Sequence, residues 1–120
     1  MFQTYGFGLV RELELLQEAG FTSLEVLRAA TIWGAELLGL EGDIGTLEVG
    51  KLADILVHDE NPLNDFKLLY GTGAMRLDDP TASVQWKRSI STVIKEGAVL
   101  DSAELLRDVE EMVEARRRAA

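Results

Sequence analysis

The chain has 120 residues, of which 47% are hydrophobic and 28% charged, and its formal net charge is -9. This length suits one compact domain and excludes two independent ones, while the composition is typical of a folded chain rather than a disordered one. The strong negative charge disfavours binding to nucleic acid and to anionic membrane surfaces.

Two helices are predicted in the first third of the chain. Apolar residues at helical spacing begin at Leu9, and Gly20 is placed to end this first helix in a left-handed conformation. Thr22 and Glu25 have the spacing of a capping box, which predicts the start of a second helix. Apolar and small residues continue from there at helical spacing, so we expect this helix to run unbroken to about Leu38.

Short strands are predicted in the middle of the chain. Glycines bracket residues 46–49, which predicts a short strand there. Residues 53–57 are rich in Ile and Val, and this apolar run predicts a buried strand. Asn61–Pro62 then marks a turn, after which residues 63–70 predict a helical turn or two.

A hairpin and a final helix are predicted at the end of the chain. The Gly, Asp and Pro content of residues 71–83 predicts a loop. Residues 89–95 and 98–100 then predict two strands joined by a tight turn at Glu96–Gly97. Residues 102–117 carry apolar side chains on one face, which predicts an amphipathic helix.

A metal centre or a catalytic triad would have to use His58, the one histidine of the chain. Hydrolytic metal sites need several His, Asp or Glu side chains that converge on one ion. Neighbouring strand residues point to opposite faces, so His58 and Asp59 would not bind the same ion without a bend. Moreover, no serine lies in a Gly-x-Ser-x-Gly context. The pattern therefore predicts no metal-binding and no catalytic residue in this chain.

Other binding classes are also disfavoured. Residues 45–51 have the spacing of a phosphate-binding loop, but Leu52 stands where such a loop needs Ser or Thr to reach magnesium. Arg116–Arg118 are interpreted as a solvated helix end that complements the helix dipole, rather than as an anion site. The absence of cysteine excludes disulfides and thiolate chemistry. No apolar run approaches the roughly 20 residues that span a bilayer, so no membrane partner is expected.

Two long stretches resemble the amidohydrolase superfamily. They are residues 20–31 (GFTSLEVLRAAT) running into 35–40 (AELLGL), and residues 45–57 (GTLEVGKLADILV) followed by 61–63 (NPL). The resemblance continues through residues 70–76 and 93–97, so it extends over nearly the whole chain. The most similar subgroup is the imidazolonepropionase-like amidohydrolases, some of which are joined to β-propeller repeats.

The resemblance implies an α+β fold that is part of a larger amidohydrolase fold. Residues 1–42 would be the terminal helices of a TIM-type barrel domain, and residues 43–101 would be strands of the small β-sandwich with their connecting loop. Residues 102–120 would form a C-terminal helix, and all three segments would belong to one compact unit. Strands from the missing part of the protein would then pair with those near residues 53–57 and 89–95.

The resemblance also implies that the complete enzyme hydrolyses an amide, cyclic amide or peptide-like C–N bond. Family members hold one or two divalent metals, often zinc, through several histidines, a lysine or glutamate, and an aspartate that ends the eighth barrel strand. None of these ligands maps onto this chain: the aspartate is expected just upstream of Met1, and Val10 stands where a histidine is often found. No cofactor is therefore expected in this chain, although Tyr5 could border the pocket of a complete enzyme.

Three functions stay open at this point. The chain is a truncated C-terminal portion of an amidohydrolase that is inactive alone, or a subunit of a split hydrolase completed by a separate barrel chain, or a self-associating structural module. Unpaired strand edges and uncovered apolar helix faces favour association. We therefore expect self-association or binding to the missing barrel portion, and neither nucleic acid nor a membrane as partner.

Overall fold

The computed structural model of the chain describes residues 7–78 and 82–119. In chain order its elements are helices α1 (Gly8–Glu18), α2 (Ser23–Ala30) and α3 (Ile32–Leu38), strand β1 (Ile55–His58), the 3₁₀ turn η1 (Phe66–Leu69), strands β2 (Ala74–Asp78), β3 (Ser83–Lys87), β4 (Ile90–Lys95) and β5 (Ala98–Asp101), and helix α4 (Ser102–Arg118). The predicted mixture of helices and small sheets is confirmed. Within the described residues, no helix combines the length and apolarity that crossing a membrane requires.

The boundary between α1 and α2 forms as the sequence predicts. Gly20 has a φ of 103°, and the N–H of Phe21 donates to the carbonyl of Leu16, which closes α1. At the start of α2, Thr22 Oγ1 accepts from the N–H of Glu25 at 3.4 Å, and Glu25 Oε2 accepts from the N–H of Thr22 at 2.9 Å. The predicted capping box is therefore present, and it satisfies N–H groups that the helix itself cannot pair.

The prediction of one helix from Thr22 to Leu38 is wrong, because the helix breaks at Thr31. The backbone of Thr31 has φ -125° and ψ -97°, which is not helical, and its Oγ1 donates to the carbonyl of Leu27 at 2.6 Å. A hydroxyl that bonds the carbonyl four residues earlier competes with the helical hydrogen bond and bends the chain. A separate helix, α3, therefore begins at Ile32.

Two strand predictions are also corrected. Residues 46–49 form a loop, in which Leu47 and Val49 are exposed and have no neighbouring strand to pair with in the described structure. The apolar run at 53–57 does contain β1, but β1 is not buried, since about half of the Leu56 side chain is exposed. β1 lies at one edge of the three-stranded sheet β1-β4-β5, in which α4 contacts β4 and β5.

The predicted loop at residues 71–83 is wrong in part, because β2 begins inside it. β2 pairs antiparallel with β3 as a separate two-stranded sheet. One face of this hairpin has only apolar cross-strand pairs, which are Met75 with Trp86 and Leu77 with Val84. Such pairs stabilise a hairpin despite the Gly and Asp residues around it. The stretch at 79–81 lies outside the described residues.

The predicted hairpin β4–β5 and the final helix are confirmed. Glu96 and Gly97 have φ values of 51° and 83°, the positive values of a type I′ turn, which matches the twist of the two strands. α4 follows β5 directly, and Asp101 Oδ1 accepts from the N–H of Glu104 at 2.9 Å at its start.

The core is small and lies among α1, α2 and η1. Val10, Leu13, Val26 and Phe66 form it, and none is more than 4% exposed. Each of these side chains belongs to a helix or to η1, whereas the large apolar side chains of the described strands remain at least partly exposed. The described residues therefore form one buried helical cluster and two sheets with little cover.

Candidate functional site

His58 lies where the pairing of β1 with β4 is irregular. The register shifts between Val57 and His58, so that His58 lies opposite Ile90. Its Nδ1 is 3.5 Å from Oγ of Ser89. Burial lowers the pKa of His58, and the negative charge of Asp59 opposes this shift only in part, so the surroundings favour the neutral imidazole.

Ser89 and His58 provide the atoms of a nucleophile and its base, but Ser89 cannot reach a substrate. Its side chain is 1% exposed. Its Oγ accepts from the N–H of Glu60 at 3.2 Å and donates to the carbonyl of the same residue at 3.4 Å. A nucleophile must contact the substrate, whereas this hydroxyl satisfies buried backbone groups. Ser89 therefore anchors the chain that follows β1.

Glu60 connects this anchor to the hairpin β2–β3. Its Oε2 accepts from Arg76 Nη1 at 2.8 Å, and its Oε1 accepts from Lys87 Nζ at 3.0 Å. Lys87, and to a smaller extent Arg76, hold the pKa of Glu60 below its ordinary value of 4.5. We call these three residues the Glu60 clamp. A carboxylate bound by two cations in this way is poorly suited to bind a metal or to accept a proton.

The described residues do not fit a metal centre. Within residues 7–78 and 82–119, no three His, Cys, Asp or Glu side chains come close enough to hold one ion. His58 faces a serine, and the clamp occupies Glu60. Val10, which stands where the resemblance led us to look for a histidine, is buried in the core. Tyr5, the predicted rim residue, lies outside the described part of the chain.

The loop that resembles a phosphate-binding loop uses its lysine internally. Lys51 Nζ donates to the carbonyl of Glu41 at 2.7 Å and to Thr46 Oγ1 at 2.5 Å, and its side chain is 12% exposed. Gly45 lies against α3, where a Cβ would come within 2.9 Å of the Cβ of Ala35. The glycine thus permits close packing and the lysine closes the loop, so this motif has a structural role.

Asp54 joins the start of β1 to the turn of the β4–β5 hairpin. Its Oδ2 accepts from Lys95 Nζ at 2.7 Å, and its Oδ1 accepts from the N–H of Glu96 at 2.8 Å. The bond from Lys95 and then the bond from Glu96 lower the pKa of Asp54. This carboxylate fixes the strand register, because it is held by both side-chain and backbone donors.

An apolar cleft of about 410 Å³ lies between Phe7, β4 and the first turn of α4. Its walls include Ile90, Val93 and Leu105, and none of the described residues that line it has a titratable side chain. A second cleft of about 320 Å³ includes Asp54, whose charge Lys95 already pairs. Both clefts can accept apolar surface, but they do not present groups for acid-base or nucleophilic chemistry.

Sequence reasoning missed the Ser89–His58 contact and the Glu60 clamp. Both join residues about 16 to 31 positions apart, so they depend on strand register rather than on local pattern. A signal for the clamp does exist, because Arg76 and Lys87 are basic residues on facing strands and Glu60 is acidic. It could be used only after β2 had been recognised as a strand.

The sequence profile of the amidohydrolase family matches residues 5–100 of this chain. Because this match includes most of the chain, the chain belongs to the amidohydrolase family. The predicted resemblance is thereby confirmed.

Individual relatives are much longer than this chain. It is 34% identical over 104 residues to the 5-methylthioadenosine/S-adenosylhomocysteine deaminase of Caldanaerobacter subterraneus subsp. tengcongensis. This match covers 78% of this chain and 24% of the deaminase. It is 50% identical over 38 residues to the imidazolonepropionase of Symbiobacterium thermophilum, or 32% of this chain and 9% of that one. A crystal structure of a Xaa-Pro dipeptidase with methionine in its active site matches with a TM-score of 0.61 and 26% identity, covering 82% of this chain and 20% of the other. The chain thus spans less than a quarter of these relatives.

Proposed function

We propose that this chain is the C-terminal portion of a metal-dependent amidohydrolase, which hydrolyses C–N bonds when the rest of the fold is present and is inactive alone. Membership of the family supports the hydrolase class. The inactivity rests on one observation, which is the shortage of ligands: His58 faces a buried serine, and the clamp already occupies Glu60.

The relatives support a C–N bond as the target. A deaminase and a dipeptidase, as their names state, remove an amino group and cleave a dipeptide, and both reactions break a bond between carbon and nitrogen. The divalent metal of the family would be held by residues outside this chain, since those described here supply no group of ligands for it. The chain would therefore support the fold around the reactive centre without supplying the metal ligands.

The architecture proposed for the complete protein assigns α1, α2 and α3 to the end of a barrel and the strands to a small β-sandwich beside it. The similarity to the dipeptidase structure supports this assignment, since it includes 82% of the chain. Exposed apolar side chains support it further: Leu37 is 87% exposed at the end of α3, and Val49 is fully exposed in the loop before β1. One exposed apolar side chain is ordinary, whereas the large number that the described residues leave exposed favours cover by another part of the protein.

Metal analysis and an activity assay test the proposal directly. The purified chain, incubated with Zn²⁺ and then dialysed, is expected to contain far less than one metal ion per chain and to hydrolyse neither dipeptides nor aminopurine nucleosides. The shortage of converging ligands is the reason. Elemental mass spectrometry measures the metal, and ammonia or amine release measures the reaction. A stoichiometric ion together with chelator-sensitive turnover would contradict the proposal.

The split hydrolase and the structural module are distinguished from this proposal by genomic sequence. Barrel sequence in the same reading frame upstream of the Met1 codon supports the portion of a single enzyme. A neighbouring gene that encodes only the barrel supports a split hydrolase instead. If neither is found, the self-associating module is favoured, and the specific observation behind it is the amount of apolar surface that the described residues leave exposed.

A further inference from the structure

α4 is the element that the family match leaves out, since the match ends at residue 100 and α4 begins at Ser102. Ser102 is buried, and it lies where the helix packs on β4 and β5. Every residue from 107 to 119, in contrast, is exposed. We call residues 107–118 the distal half of α4; it extends past the surface on which the first turns pack.

The distal half has an apolar stripe with no cover among the described residues. Val109, Met112 and Val113 recur at i, i+3 and i+4, so they share one face, and they are 55%, 71% and 46% exposed. Arg116 and Arg117 continue the same face at i+7 and i+8. An apolar stripe that ends in cations at helical spacing is suited to pairing with another helix.

Charge along α4 is segregated from end to end. From its cap at Asp101 to Glu111 it carries five carboxylates and one guanidinium, whereas its last turn carries Arg116, Arg117 and Arg118. Two such helices attract each other when they run antiparallel, because the basic end of each then lies beside the acidic part of the other. The helix dipoles favour the same direction. A second copy of this chain therefore has both the matching stripe and the complementary charge.

We propose that the distal half of α4 pairs antiparallel with the distal half of α4 in a second copy of the chain. At the two-fold axis, Met112 of each copy contacts Val113 of the other. On the flank of the stripe, Arg117 of each copy lies beside Glu110 of the other, so this ion pair occurs twice. The pairing is independent of the hydrolase proposal, since α4 lies beyond the family match and carries no part of the chemistry.

A charge exchange between two variants tests this pairing. Sedimentation of the full chain, from low micromolar to millimolar concentration, is expected to show a reversible dimer. Arg117→Glu and Glu110→Arg each place like charges together twice, and each is expected to weaken the dimer by about tenfold or more. An equimolar mixture of the two variants restores both attractions, and so does the double variant Arg117→Glu/Glu110→Arg in one chain, so both are expected to recover the dimer.

Arg118→Glu is the matched control. It makes the same change in net charge on the same turn, but Arg118 pairs with Glu114 of its own helix at 3.0 Å and lies off the stripe. It is expected to weaken the dimer far less than Arg117→Glu does. Circular dichroism verifies that each variant is folded, and the double variant shows that both substitutions are tolerated. The proposal fails if the wild-type chain is monomeric throughout, if Arg118→Glu weakens the dimer as much as Arg117→Glu does, or if the mixture does not recover.

Discussion

The helical cluster and the β2–β3 hairpin use similar side chains in opposite ways. Val26 and Phe66 in the cluster are 0% and 2% exposed, whereas Met75 and Trp86 in the hairpin are 67% and 60% exposed. Apolar residues therefore form a buried core in the helical cluster and an exposed apolar face in the β2–β3 hairpin. Backbone hydrogen bonds and cross-strand pairs stabilise a two-stranded hairpin only marginally, and they do not bury it.

The largest effect is expected in the cluster, where removing the Phe66 side chain leaves a cavity. Phe66→Ala should lower the free energy of unfolding by about 3–5 kcal/mol, which is a large share of the stability of a small domain. Urea unfolding followed by circular dichroism measures the change. A loss below about 1 kcal/mol would show that the cluster is not the main source of stability, and the contrast with the hairpin would then disappear.

An intermediate and local effect is expected from the Glu60 clamp. Because Lys87 and Arg76 lower the pKa of Glu60 below 4.5, the clamp stabilises the hairpin above that pH and loses its effect as the pH falls through the lowered value. Amide hydrogen exchange in β2 and β3, corrected for intrinsic rates, should accelerate in this acidic window.

Glu60→Gln is the control for this pH dependence, since it keeps the size of the side chain and removes its charge. The exchange of the hairpin amides in this variant should already be faster at pH 7 and should respond less to acid. If the wild-type chain and the variant exchange alike at pH 7, the clamp does not hold the hairpin.

The smallest effect is expected on the open face of the hairpin. Leu77→Thr keeps a residue with high strand propensity at a position that is 58% exposed, so unfolding should change by no more than about 0.5 kcal/mol. The same urea experiment measures it. A loss comparable to that of Phe66→Ala would mean that this face is covered in solution, and it would sharpen the comparison by identifying a second buried region.

Features set by neighbouring residues were predictable from the sequence, while features set by distant ones were not. The capping box at Thr22, the turn at Glu96–Gly97 and the helix α4 each depend on a few adjacent residues, and all three are present. The break at Thr31 was missed because a threonine within a helical pattern does not reveal which carbonyl its hydroxyl will bond.

Contacts between distant residues were also not predictable at the candidate site. From the inventory of residues, with one histidine and no catalytic motif, the sequence predicts no metal or catalytic set, and this stays a prediction. The contact of Ser89 with His58 was not predictable, because it depends on a register irregularity between β1 and β4. The strand β2 was missed for a related reason: its apolar pairs are recognisable only once β3 is known to lie opposite.

The two glycines that bracket the loop before β1 differ in what they exclude. Gly45 and Gly50 have almost the same φ, 97° and 95°. This left-handed backbone conformation favours glycine at both positions. Open space surrounds Gly50, and an asparagine, which tolerates this conformation, would fit there. At Gly45 the wall of α3 leaves no volume for even one methyl group. Substitutions should therefore be tolerated at Gly50 but not at Gly45.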